Sequence, residues 1–119
     1  MTQPAPESPQ RQRWPAVANV YARWLQWLPE TARQHGYALA VHGSFIRDLD
    51  VIAVPWTEDA ADPATLAAAL AEDIGGHLSV NDPERKPHGR LAWAIRTASH
   101  AYLDLSVIPP QPKGPNPHA

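Results

Sequence analysis

The chain has 119 residues, 44% of them apolar, a net charge of -2 and no cysteine. One modest core fits that length, and coating of nucleic acid through bulk positive charge is excluded by that balance. Disulfides and thiolate metal sites are excluded outright.

In chain order, residues 1–13 carry three prolines among Gln, Ser and Arg, and read as a disordered tail. They lack the apolar segment of a signal peptide, and no apolar run in the chain reaches the roughly 18 residues of a membrane span. A cytoplasmic protein outside the membrane is expected. Pro15 suits a first helical turn, and Val17, Val20, Tyr21, Trp24 and Leu28 form an apolar stripe at helical spacing. Pro29 kinks that helix or opens a second short one, which Gly36 ends. Residues 37–41 and 49–54 read as strands, the second nearly all apolar and β-branched as a central strand requires. Asp62 caps a helix with Pro63 in its first turn, and Gly75-Gly76 stop it. A short strand is expected at 77–80, then a polar loop over 81–89. Residues 90–97 and 101–108 alternate around a short turn and predict a β-hairpin. The tail 110–119 is again proline-rich. The fold class that follows is α+β: a single domain over 14–109 with a mixed sheet, helices on one face, and a closing hairpin.

The acidic residues carry the chemistry. Asp48 and Asp50 stand two apart at the opening of a strand, so both carboxylates share one face. Like charges that close repel by about 1 kcal/mol in water and about 4 at an intermediate dielectric. Asp104 lies between Leu103 and Leu105 in the final strand, where a carboxylate is costly unless paired, hydrogen-bonded or bound to metal. If the final hairpin lies beside strand 49–54, the three converge. Oxygen-only ligands suit a hard cation such as Mg²⁺, which keeps waters and shares substrate phosphates. Simpler assignments stand beside this one: Asp48 as a turn cap, and Asp104 as the ion-pair partner of Arg90 or Arg96. Among the basic residues, Lys86 and Arg90 would meet phosphate if their loop closes over the aspartates, or else serve solubility. Arg47 is a charge partner for Asp48 or a phosphate contact. Most of the five tryptophans are expected in the core, with Trp56 the best surface candidate.

The set VHGS (41–44), RDLDVIAV (47–54) and YLDLSV (102–107) resembles the nucleotidyltransferase fold of polymerase-β-like enzymes. Together with KPHGR (86–90), it is most similar to small nucleotidyltransferase-like proteins of bacteriophages and prophages, over about residues 36–109. That resemblance implies metal-dependent transfer of a nucleotidyl group from a nucleoside triphosphate to a hydroxyl acceptor. It implies that Gly43 and Ser44 hold phosphate and that Asp48, Asp50 and Asp104 bind Mg²⁺ or Mn²⁺, Asp104 also helping to activate the attacking hydroxyl. A bacterial host cytoplasm would be the compartment. The spacing departs from the family: only Phe45, Ile46 and Arg47 separate the Gly-Ser step from Asp48, too few for a helix aimed at phosphate. There is also no room for a second domain, so a homodimer or a host protein partner would supply the missing wall. The alternative is a non-catalytic nucleotide- or protein-binding module on the same fold, of host-targeting or anti-defence type.

Overall fold

A computed structural model describes residues 19–43, 48–79, 82–99 and 101–111. The tails, Ser44 to Arg47 and the first part of the expected helical stripe lie outside the described residues. Residues 19–24 are helical (α1), followed by α2, Leu28–Gln34. Pro29 thus sits in the first turn of a second helix rather than kinking the first, because a missing N–H costs nothing there. Gly36 follows with φ of 87°, and a side chain there would collide with Thr57 and the Ala60 backbone. The chain then enters β1, Tyr37–His42, and returns as β2, Leu49–Pro55.

Helix α3, Pro63–Asp73, is capped by the Asp62 carboxylate, which accepts from the Ala64 N–H at 3.2 Å. Two-residue strands follow, β3 at His77–Leu78 and β4 at Glu84–Arg85, then a 3-10 turn at Pro87–Gly89. The expected polar loop over 81–89 is therefore corrected. Glu84 and Arg85 are polar because they lie on an edge and need no buried face, and β5 supplies their backbone partners. The hairpin is formed by β5, Leu91–Arg96, and β6, Tyr102–Val107, paired from Leu91↔Val107 to Arg96↔Tyr102.

The sheet order is β1-β2-β6-β5-β3, with β4 also on β5. Among the described strands only β2 and β6 run parallel, since α3 and the following strands carry the chain back to the same end before β6 begins. One face of the sheet is dry. Leu49, Val51, Ala53, Ile95, Leu103, Leu105 and Val107 are fully buried there against Tyr21, Leu28, Leu66 and Leu70 of the helices. Each large aliphatic side chain so placed contributes about 1.5–3 kcal/mol. Trp24 and Trp93 join this core, whereas Trp56 is 63% exposed. This is the α+β arrangement with helices on one side of a mixed sheet. No helix among the described residues is long and apolar enough to cross a membrane.

Candidate metal centre

The period of two that buries the odd-numbered residues of β2 and β6 turns the even-numbered ones to the other face. Asp50 and Asp104 are register partners across the parallel pair, so their side chains rise side by side from neighbouring strands. Asp48 stands one residue before β2 rather than within it. One carboxylate oxygen from each of Asp48, Asp50 and Asp104 lies within 4.8 Å of the others, and all three residues are half-buried. Three oxygens at that spacing can hold a metal ion.

The electrostatics are those of three carboxylates crowded together. Burial first, then the charges of Asp48 and Asp104 and a hydrogen bond with Asp48, push Asp50 up to about 6, while nearby His42 pulls the other way. His42 is the register partner of Asp50 across β1 and β2. Among the described residues neither candidate arginine is an ion-pair partner of Asp104. Arg90 instead donates to the Ser106 hydroxyl at 3.2 Å, and Arg96 donates to Ser79 at 3.1 Å. The simple ion-pair assignment for Asp104 therefore has no contact to support it.

Gly43 belongs to the cluster by geometry. Its φ is 88°, and an added side chain would run into the Asp50 carboxylate. A residue with a Cβ would be strained there and would displace that carboxylate. Ser44 and Arg47 lie outside the described residues. Lys86 is apart from the cluster: its ammonium is 3.0 Å from Glu84. It lies beyond the Leu91 end of β5, while Asp104 pairs with Ala94. Arg90 starts four residues from Ala94, about 13 Å along a strand. It nevertheless shares the open face with Asp104, and Ser106 lies between them.

One residue in this neighbourhood, Tyr102, escaped the sequence reading, and Arg96 meets it rather than Asp104. Tyr102, two before Asp104 and on the same face, hydrogen-bonds Asp48; burial, that bond and the three aspartate charges raise its hydroxyl pKa. The Arg96 guanidinium lies over the Tyr102 ring, 5.2 Å from its centre. The i, i+2 spacing of Tyr102 to Asp104 was the available signal. The Arg96 contact needed the cross-strand register.

No protein-family model, curated protein or solved structure matches the chain.

Proposed function

We propose that this chain is a minimal metal-dependent nucleotidyltransferase, carrying a nucleotidyl group from a nucleoside triphosphate to a hydroxyl acceptor. The observation that carries the reading is the convergence of Asp48, Asp50 and Asp104, with no arginine or lysine ion pair to them among the described residues and with Gly43 closed against Asp50. An all-oxygen donor set of this kind favours Mg²⁺ or Mn²⁺. When bound, such an ion lowers the pKa of an attacking hydroxyl and neutralises charge on a leaving pyrophosphate. Asp104 would accept the hydroxyl proton as the acceptor oxygen bonds to the α-phosphorus and the bond to pyrophosphate oxygen breaks. Tyr102 holds Asp48 in position by its hydrogen bond. Gly43, Ser44 and Arg47 would line the phosphates, with Arg90 reaching them across Ser106. Lys86, held by Glu84, would need to leave that partner to take part.

Thermal unfolding tests this with Mg²⁺ or Mn²⁺ and each nucleoside triphosphate in turn. At a hundred times the dissociation constant, ligand adds about 2.7 kcal/mol, which raises the midpoint by roughly 10 °C in a domain this size. The shift should require both metal and nucleotide and vanish in Asp104→Asn, whose own midpoint without metal should equal or exceed that of the wild type. If instead no pair shifts the wild type, and Asp104→Asn is less stable by about 1–3 kcal/mol, the aspartates are structural.

A second reading, a nucleotide- or protein-binding module without turnover, is favoured by one observation. Three residues between Ser44 and Asp48 leave little chain for a triphosphate cradle. Pyrophosphate release separates the two: binding of metal and nucleotide with no release under any acceptor would select the module.

A further inference from the structure

We propose that the outer edge of β1 pairs with β1 of a second copy, so that the sheet continues through a two-fold axis at Ala40. Among the described residues the strand order leaves β1 on one lateral edge of the sheet. Its six residues, YALAVH, pair one for one with β2 without a bulge, so the edge is straight. None of them is Lys, Arg, Asp, Glu or Pro, the residues that normally blunt an open edge. The opposite side of the sheet is built differently. There β3 and β4 are two residues long each and carry His77, Glu84 and Arg85.

The edge is also self-complementary. A two-fold axis normal to the sheet keeps each face on its own side, so only residues of equal parity can oppose one another. With the axis at Ala40, that residue opposes its own copy, Leu39 opposes Val41, and Ala38 opposes His42. Val41 points to the helix-side face and is 39% exposed. Leu39 helps to line a groove of about 270 Å³ on that edge, together with Pro29, Arg33, Tyr37, Ala38 and Trp56. Val41 of each copy thus faces the groove of the other, and the 63% exposed Trp56 closes over the contact. The guanidinium of Arg33 is already engaged by Glu30 at 3.0 Å, so burying the groove does not strand its charge. The axis itself carries only methyl groups. Knob and groove are supplied by one strand edge and satisfied twice, which a partner of unrelated sequence would not provide.

Sedimentation equilibrium of the full chain without metal or nucleotide tests this independently of the catalytic reading. The expected mass is twice the 13.1 kDa of one chain. Ala40→Lys places two ammonium groups face to face at the axis and should sediment as one chain with unchanged circular dichroism, since Ala40 is exposed. Ala40→Glu should do the same, and mixing the two variants should restore the doubled mass. A wild type that stays at the single-chain mass at its solubility limit overturns the proposal, and slow amide exchange in β1 of that monomer would assign the edge to another segment of the chain. A doubled mass that survives Ala40→Lys and Ala40→Glu overturns it too, because the copies would then meet elsewhere.

Discussion

The two faces of the β2–β6 pair share one backbone and have opposite requirements. On the helix side, Leu49, Val51, Leu103, Leu105 and Val107 are wholly buried. On the other side, Asp50, Tyr102 and Asp104 stand half-buried, with Asp48 beside them. The dry face holds the sheet to its helices through apolar area removed from water. The open face gathers three carboxylates that no ion pair among the described residues neutralises. Because the side chains alternate, each strand anchors the fold with one set of residues and presents a carboxylate with the next. A register slip of one residue would exchange the two sets, so the core enforces the position of the aspartates.

Truncation on the dry face should have the largest effect. Leu105→Ala is expected to cost about 2–5 kcal/mol in chemical denaturation, equally with and without Mg²⁺. A dependence on metal would mean that the two faces are not separable. Next in size is the pH response of the open face. Folding lifts Asp50 from 3.8 to about 6 through burial and its neighbouring carboxylates, so between those values the folded chain binds more protons than the unfolded one. Stability without metal should therefore fall as pH rises through that window, by at most about 3 kcal/mol. Asp50→Asn should flatten the slope. Metal affinity should rise over the same window, because binding displaces the Asp50 proton.

Gly43→Ala sharpens the comparison at the point where β1 touches the cluster. The positive φ predicts a loss of about 1–2 kcal/mol, and displacement of the Asp50 carboxylate should abolish the metal-dependent shift in melting temperature. Full retention of that shift would remove Gly43 from the site. The smallest effect is expected from Lys86→Ala. Its pair with Glu84 is on the surface, so unfolding should change by no more than about 0.5 kcal/mol. A large loss of nucleotide binding in this variant would instead show that Lys86 swings away from Glu84.

Much of the layout was legible because it is written in local signals. Pro63 marks a first turn, Asp62 a cap, Gly36 a helix end, and alternation the closing hairpin, whereas Pro29 was compatible with a kink or a new helix until the structure placed it in a first turn. The pairing of Asp48 with Asp50 on one side also follows from local spacing. What local signals could not supply were long-range neighbours. Glu84–Arg85 became a strand because β5 offered backbone partners, and a two-residue edge leaves no periodicity to detect. Lys86 looked equivalent to Arg90 in sequence, yet Glu84 engages the first and Ser106 draws the second onto the open face.

The amino-acid sequence by itself determined the longer strands, the capped helix and the presence of three carboxylates, since turns, caps and alternation depend on residues a few positions apart. Tertiary structure alone decided that Asp50 and Asp104 are register partners, that Gly43 seats the Asp50 carboxylate, and that Tyr102 holds Asp48. The reason is the parallel pairing of β2 with β6. It joins segments about fifty residues apart in the chain, and their register is set by the whole packed core rather than by any one turn.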